Sequence, residues 1–128
     1  MKKINCIIIE DEIPSADELN YILENYKFIN VIGIAHDGIK GMELIKELNP
    51  NGVFLDINMP SKNGMELAKE IKAWNENIEI IFITAYDKYA VKAFEVKALD
   101  YILKPFEEER ISISVNRLLD AIKQKSSD

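Results

Sequence analysis

Four short apolar runs stand at intervals along the chain, and a polar residue directly follows each of them. Residues 6–9 are followed by Glu10 and Asp11, residues 52–55 by Asp56, residues 80–83 by Thr84, and residues 101–103 by Lys104. Apolar runs of about four residues are typical of parallel strands buried on both faces, and such sheets carry their sites at the carboxyl ends of the strands. We therefore expect carboxylates, a hydroxyl and an amine to meet at one edge of one sheet.

Segments with helical periodicity separate these runs, and a further apolar run over residues 31–35 adds a strand after the first helix. Strands that alternate with helices through short connections predict a parallel sheet covered on both faces, because crossover connections are right-handed. The sequence thus predicts an α/β fold of the flavodoxin-like (βα)5 type, a three-layer sandwich with strand order 2-1-3-4-5. In that order the first and third strands are neighbours, so Asp11 and Asp56 lie side by side.

The helices are predicted from capping residues and from apolar residues at helical spacing. Ser15 and Glu18 have the spacing of a capping box for the first helix, and Asp37 and Asp87 are candidate caps for the second and fourth. The residues expected to face the sheet are Leu19, Ile22, Leu23 and Tyr26; Met42, Ile45 and Leu48; Leu67, Ile71 and Trp74; Ala90, Val91 and Phe94; and Ile111, Val115, Leu118 and Ile122.

The charge balance and the length of the apolar runs limit the possible partners. The 128 residues carry a net charge of −6, from 22 acidic and 16 basic side chains. This excess of acid gives no electrostatic support for binding nucleic acid or an anionic membrane. No apolar stretch approaches the roughly 18–20 residues that span a bilayer, and the amino terminus lacks the long apolar region of a secretory signal. We expect one cytoplasmic domain with no membrane partner.

The expected cluster combines carboxylates with a cationic side chain and a hydroxyl. Carboxylates held together repel, so a proton or a cation must compensate their charge. Mg²⁺ prefers oxygen ligands and commonly takes one or two carboxylates, so Mg²⁺ (or Mn²⁺) is the expected occupant. An Asp carboxylate can also attack a phosphoryl group and form an acyl phosphate if the incoming charge is neutralised. With Lys104 and Thr84 nearby, the pattern indicates a metal-assisted phosphoryl acceptor.

Several motifs occur in the order found in one known family. They are Ile9-Glu10-Asp11-Glu12, Leu55-Asp56-Ile57-Asn58-Met59-Pro60 with Gly64 following, Thr84-Ala85, and Tyr101-Ile102-Leu103-Lys104-Pro105-Phe106. Through these motifs, and over nearly its whole length, the chain closely resembles the receiver domain of two-component response regulators. The resemblance implies a phosphorylation switch that accepts a phosphoryl group from a sensor histidine kinase. It implies no enzyme acting on a separate substrate, because such a domain catalyses only its own phosphoryl transfer and dephosphorylation.

The resemblance also implies the phosphoacceptor and the metal ligands. Asp56 is similar to the phosphoacceptor, and Glu10 and Asp11 are similar to the acidic pair that holds Mg²⁺ together with it. The main-chain carbonyl of Asn58 is implied as a further ligand. The family's acidic pair is often Asp-Asp, so Glu10 is a departure, and we expect its longer side chain to reach the cation directly or through water.

The residues that carry the signal are implied in the same way. Lys104 resembles the lysine that pairs with the phosphate, Thr84 the switch hydroxyl and Tyr101 the switch aromatic residue. The Lys104–Pro105 peptide bond is implied to be cis. The signal is expected to leave through the face formed by the fourth helix, the fifth strand and the fifth helix, and a homodimer through this face is expected.

Residues 84–101 resemble more narrowly the LytR/AgrA-type subgroup, in which a LytTR DNA-binding domain usually follows the receiver. No part of that module lies within these residues, so DNA binding and transcription regulation are expected only through an output domain outside them. We expect a receiver domain over residues 1–124 and a polar tail, or the start of a linker, over residues 125–128.

Two alternatives share parts of this pattern. A stand-alone or degenerate receiver that serves as a protein-docking module needs the fold but no output domain. A Mg²⁺-dependent phosphohydrolase with an aspartyl-phosphate intermediate shares the Asp56-Ile57-Asn58 spacing. Such an enzyme needs a second acid two residues after the nucleophile, however, and Asn58 cannot act as an acid.

Overall fold

Five strands alternate with five helices along the residues that the computed structural model describes, 3–60 and 62–126. The strands are β1 (Ile4–Ile9), β2 (Ile29–Ala35), β3 (Gly52–Leu55), β4 (Glu79–Thr84) and β5 (Asp100–Leu103). The helices are α1 (Ile13–Leu23), α2 (Gly38–Leu48), α3 (Gly64–Trp74), α4 (Ala90–Glu95) and α5 (Glu108–Ser126). The predicted (βα)5 pattern is confirmed.

The five strands form one parallel sheet in the order β2-β1-β3-β4-β5. This is the predicted order, and it makes β1 and β3 central neighbours. Ile9 pairs with Leu55, Leu55 with Phe82, and Thr84 with Leu103, so the carboxyl ends of four strands are level with one another. β2 and β5 are the edge strands.

Alternate residues of each strand belong to two separate hydrophobic cores. In β1, Ile7 and Ile9 pack under α2, α3 and α4, whereas Cys6 and Ile8 pack under α1 and α5. Burying an Ile, Leu or Phe side chain stabilises a fold by about 1.5–3 kcal/mol, and both faces of the sheet are covered by such residues. This double burial explains why the strands read as continuous apolar runs and gives the predicted three-layer sandwich.

The first two helices differ in how they begin. α1 starts at Ile13 and has Pro14 in its first turn. Glu12 occupies the N-cap position, but its side chain makes no capping hydrogen bond. The predicted capping box is wrong, because Pro14 suits the first turn and Ser15 therefore lies inside the helix. The predicted cap of α2 is confirmed, since the side chain of Asp37 accepts a hydrogen bond of 2.8 Å from the main-chain N–H of Lys40.

α4 presents a different face to the sheet from the one that its sequence predicts. Ala93 is its buried residue, whereas Val91 is 71% exposed and Phe94 is 84% exposed. Asp87 does not cap the helix, which begins only after Tyr89. The small Ala93 therefore packs inward, and the larger apolar side chains of Val91 and Phe94 face outward.

Three other residues predicted to be buried lie at or beyond the end of a helix. Leu48 and Trp74 are the last residues of α2 and α3 and are largely exposed, because the chain turns back towards the sheet there. Tyr26 follows the end of α1 and is half-buried. α5 continues to Ser126, so the polar tail predicted over residues 125–128 begins inside this helix. Residues 127–128 of that tail lie outside the described part of the chain.

Within residues 3–60 and 62–126, no helix has both the length and the apolar character needed to cross a membrane.

Asp100 joins the edge strand β5 to α5. Its carboxylate accepts hydrogen bonds from Arg110 at 2.9 and 2.8 Å, from Arg117 at 2.9 Å and from the Tyr101 main-chain N–H at 2.8 Å. Burial alone opposes ionisation of Asp100, but the bonds from Arg110 and Tyr101 outweigh it and hold the pKa of this carboxyl below its ordinary value. The ionised carboxylate therefore stabilises the packing of α5 against the edge of the sheet.

Asp100→Asn should lower the free energy of unfolding at pH 7 by about 2 kcal/mol, less than for a fully buried pair because the arginines are partly exposed. A lowered pKa in the folded state gives stability above the ordinary carboxyl pKa, and this stability is lost as pH falls through the lowered value. The wild-type protein should therefore lose its advantage over the variant below about pH 4. Urea unfolding at several pH values measures both effects, and the exposed Asp120→Asn is the control. If the difference in unfolding free energy between wild type and Asp100→Asn were the same in acid as at pH 7, the stabilising role of the Asp100 carboxylate would be contradicted.

Candidate functional site

The polar residues predicted to meet at the carboxyl ends of the strands do lie at one edge of the sheet. The pairing of Ile9 with Leu55, and of Thr84 with Leu103, brings the ends of β1, β3, β4 and β5 together. Ion pairs and close carboxylate oxygens then join three of these residues, which are Glu10, Asp56 and Lys104.

Glu10, Asp11 and Asp56 form a compact acidic cluster. Each offers a carboxylate oxygen, and these oxygens lie within 4.8 Å of one another. Glu10 and Asp56 are only 4% and 6% exposed, while Asp11 is half-buried and reachable from solvent. A set of hard oxygen donors that is open on one side fits Mg²⁺, which keeps several of its waters when protein carboxylates bind it.

Lys104 is the cation that compensates this cluster. Its Nζ lies 2.5 Å from Glu10 Oε1, 3.2 Å from Glu12 Oε1 and 3.6 Å from Asp56 Oδ2. Burial disfavours the ammonium form, but the hydrogen bond with Glu10 and the charges of Asp56 and Glu10 outweigh this effect and raise the pKa of Lys104. Lys104 therefore stays protonated and holds one positive charge beside Asp56.

Asp56 lies in an environment that disfavours its charge. Burial, a hydrogen bond with Glu10 and the negative charge of Glu10 raise the pKa of Asp56 to about 7, against the opposing effects of Lys104 and the Ile57 N–H. The Ile57 N–H donates to Asp56 Oδ1 at 2.8 Å, which fixes the orientation of the carboxylate. Two adjacent buried carboxyls thus retain a proton near neutral pH unless a cation replaces it.

Gly64 allows the loop after β3 to fold back onto Asp56. Its N–H donates to the Ile57 carbonyl at 2.7 Å. A Cβ atom at this position would collide with the main-chain oxygen of Asp56 and would lie 2.7 Å from Ile57 Cα. Only glycine fits so close to another stretch of main chain. This contact places the start of α3 directly beside the acidic cluster.

Thr84 and Tyr101, the predicted switch residues, both contact the main chain of Tyr86. The Tyr86 N–H donates to Oγ1 of the buried Thr84 at 3.3 Å, and the Tyr101 hydroxyl donates to the Tyr86 carbonyl. The ring of the half-buried Tyr101 lies 6.3 Å from that of Phe82 in β4. One peptide segment thus connects the two side chains. The Lys104–Pro105 peptide bond is cis, as the resemblance implied.

Asn58 follows Asp56 by two residues and is exposed. Its side-chain Oδ1 accepts a hydrogen bond from the Tyr89 hydroxyl at 3.3 Å. The implied role of its main-chain carbonyl as a metal ligand stays a prediction.

The sequence did not single out Glu12 and Tyr89 as members of the site. Glu12 belongs to the acidic run after β1, but its contact with Lys104 joins residues 92 positions apart. Tyr86 and Tyr89 stand in the loop after Thr84, and an unusual density of tyrosines there was the available signal. Their contacts depend on the fold of that loop, which no periodicity describes.

Comparison with protein families finds one match, the response regulator receiver domain, over residues 6–116. Among the relatives, the sensory transduction protein LytT of Oceanobacillus iheyensis is 46% identical over 125 residues, which cover 96% of this chain and 51% of that protein. The chain thus spans about half the length of the curated relatives it matches. These LytT relatives confirm the resemblance to the LytTR-type subgroup.

Solved structures of the same fold are also found. The response regulatory domain of MrkE from Klebsiella pneumoniae superposes with a TM-score of 0.85 at 34% identity, covering 98% of this chain and 100% of that one. The CheX–CheY–BeF₃⁻–Mg²⁺ complex from Borrelia burgdorferi matches with a TM-score of 0.82 at 24% identity, over 89% of this chain and 87% of that one. The second likeness concerns the fold alone.

Asp56→Asn should stabilise the folded protein in a pH-dependent way. A carboxyl whose pKa is raised on folding destabilises the fold as pH rises from about 4 to about 7, and the effect is constant above that. Asn cannot ionise, so the free energy of unfolding of the variant should exceed that of wild type by roughly 1–2 kcal/mol at pH 8 and by almost nothing at pH 4. Water near the half-buried Asp11 screens the charges and limits the difference. Urea unfolding at both pH values is the measurement, with the exposed Asp17→Asn as control. Equal stability of Asp56→Asn and wild type at pH 8 would contradict the repulsion.

Proposed function

Because the chain belongs to the response regulator receiver domain family, we propose that it is a phosphorylation switch whose acceptor is Asp56. Response regulator receivers are signalling domains that act with histidine kinases, so a sensor histidine kinase is the proposed phosphodonor. The observation that carries the proposal is the position of Asp56, whose carboxylate lies in a cluster of three acids and 3.6 Å from Lys104.

Phosphoryl transfer at this site is a single displacement. An oxygen of the Asp56 carboxylate attacks phosphorus, the bond from phosphorus to the donor breaks, and the donor's leaving group departs with that electron pair. With a kinase the leaving group is a histidine nitrogen, and with acetyl phosphate it is acetate. Lys104 faces the incoming phosphoryl oxygens, and the Ile57 N–H keeps the Asp56 carboxylate oriented for the attack.

Receiver domains bind Mg²⁺ in an acidic pocket, and we propose that Glu10, Asp11, Asp56 and the Asn58 carbonyl hold it here. The ion, with Mn²⁺ as a substitute, supplies charge neutralisation for the phosphoryl group. The CheX–CheY complex, which contains Mg²⁺ and BeF₃⁻, supports a role for such an ion in this fold. Glu10 pairs with Lys104, so a cation held by Glu10 would leave Lys104 free to meet the phosphoryl group.

The signal is proposed to pass from Thr84 to Tyr101. The Thr84 hydroxyl, now bonded to the Tyr86 N–H, is drawn towards a phosphoryl oxygen. The Tyr86 segment moves with it, and Tyr101, whose hydroxyl rests on the Tyr86 carbonyl, responds. Couplings of this kind typically amount to about 1–3 kcal/mol, which shifts a two-state equilibrium without changing the fold.

The output is proposed to be a LytTR DNA-binding domain outside this chain, with the receiver domain ending near the end of α5. Relatives about twice as long and the resemblance of residues 84–101 support this arrangement. A homodimer through α4, β5 and α5 is proposed as the intermediate step. The exposed Val91, Phe94 and Leu103 support it, because they put large apolar side chains on α4 and β5 in contact with water.

Incubation with acetyl phosphate and Mg²⁺ should add one phosphoryl group that is labile in both acid and base. Asp56→Asn should abolish the labelling, and Asp11→Asn should reduce it by removing a metal ligand. Intact-mass spectrometry measures the added mass, with Asp37→Asn as a control at the cap of α2. Labelling that persists in Asp56→Asn would refute the proposed acceptor.

Phosphorylation should drive dimerisation, and Phe94→Ser should weaken the dimer by tenfold or more. Burying one Phe side chain stabilises an interface by about 1.5–3 kcal/mol, and a symmetric dimer buries two. Sedimentation velocity with and without acetyl phosphate gives the dissociation constants. Tyr21→Ser, at a 68% exposed position on α1, is the matched control. The interface would be wrong if Phe94→Ser dimerised as wild type does.

A further inference from the structure

One hydrogen bond joins the loops that follow two neighbouring strands at the edge of the acidic cluster. The Tyr89 hydroxyl donates to Asn58 Oδ1 at 3.3 Å, across 31 residues of sequence. Asn58 lies two residues after Asp56, and Tyr89 lies five residues after Thr84, at the start of α4. The bond therefore crosses the sheet edge between the acceptor carboxylate and the switch hydroxyl.

Tyr89 is the better fixed of the two partners. Its side chain is half-buried and packs against the core under α2, α3 and α4. Its ring also makes an edge contact with Tyr86 at 6.5 Å and lies 5.2 Å from the ammonium group of Lys88. Asn58 is exposed, and Tyr89 is the hydrogen-bond partner described for its side chain. The bond thus restrains the exposed side chain of Asn58 rather than Tyr89.

This restraint bears on how long a phosphoryl group remains on Asp56. In hydrolysis a water oxygen attacks phosphorus from the side opposite the Asp56 oxygen, the bond between phosphorus and that oxygen breaks, and the Asp56 carboxylate leaves with the electron pair. The attacking water gives up a proton to solvent, and inorganic phosphate is released. Asn58 is exposed and lies two residues after Asp56, whereas Ile57 and Met59 are buried in the core, so the freedom of the Asn58 side chain is the feature expected to govern the approach of the water.

We propose that Tyr89 is a positioning residue that lengthens the life of the acyl phosphate by holding the Asn58 side chain beside Asp56. The inference rests on the proposed function, because it concerns the phosphorylated form of Asp56. It adds to that function a residue with no part in phosphoryl transfer itself. Removing the hydroxyl frees the Asn58 side chain and admits water more often.

Tyr89→Phe tests the proposal with the loss of a single atom. After labelling with acetyl phosphate and Mg²⁺ and removal of the donor, the acyl phosphate should decay about three- to tenfold faster than in wild type, the effect of one lost hydrogen bond. The initial rate of labelling at a given concentration of acetyl phosphate should not change. Tyr21→Phe removes the same atom from an exposed position on α1 and should decay as wild type does. A decay of Tyr89→Phe that is equal to or slower than that of wild type overturns the proposal.

A double-mutant cycle separates positioning of Asn58 from a general effect of Tyr89 on folding. In an Asn58→Ala background the partner of the hydroxyl is gone, so adding Tyr89→Phe should leave the decay rate unchanged. The same acceleration in both backgrounds would show that Tyr89 acts through other contacts, and this would also overturn the proposal.

Hydrogen–deuterium exchange of the unphosphorylated protein tests the restraint without any phosphoryl chemistry. The main-chain amides of Asn58 and Met59, which adjoin this bond, should exchange faster in Tyr89→Phe than in wild type and Tyr21→Phe. Unchanged exchange would overturn the proposal even if Asp56 is the acceptor. If exchange rises but wild type takes up no phosphoryl group, the proposed function fails while the contact is upheld.

Discussion

The electrostatic repulsion between the buried Glu10 and Asp56 is the interaction on which the rest of the site depends. Their carboxyls lie together with Asp11, and one nearby ammonium group, that of Lys104, compensates part of the charge. Burial, followed by the hydrogen bond and the negative charge of Glu10, raises the pKa of Asp56. A site in this condition favours any cation that enters it and is poorly suited to hold an unshielded negative charge. The proposed Mg²⁺ would relieve this excess of negative charge, and the proposed phosphoryl group, which adds further negative charge at Asp56, would depend on the cation and on Lys104.

Much of this arrangement could be predicted because burial on both faces leaves a strong signal in sequence. Strands covered by helices on each side read as continuous apolar runs, and the residue that ends each run must lie at the carboxyl edge of the sheet. The order β2-β1-β3-β4-β5 then makes Glu10 and Asp56 neighbours, although 46 positions separate them in sequence. Few strand orders are compatible with this alternation of strands and helices, so the prediction of the site could rest on the topology.

The parts that could not be predicted depend on local choices between similar alternatives. In α4 the strongly apolar Val91 and Phe94 suggested the buried face, yet Ala93 occupies it, because the short helix begins after Tyr89 and a small side chain fits against the sheet. Ser15 had a capping partner at the right spacing, but the helix begins two residues before it. The contact between Glu12 and Lys104 has no periodic signature at all.

α4 is also the element that a modest change at Asp56 could shift most easily. It has six residues, a single fully buried side chain in Ala93, and an N-cap without a side-chain bond. Its end is closed by bonds from the Lys97 and Ala98 N–H groups, which require Lys97 to adopt a left-handed φ of 58°. A side chain other than glycine pays about 1 kcal/mol for that conformation. A coupling of about 1–3 kcal/mol is comparable to such a cost. It is much smaller than the free energy with which the other helices pack on their buried cores. Under the proposed function, the weakness of α4 is what would let a phosphoryl group at the sheet edge change the exposed surface.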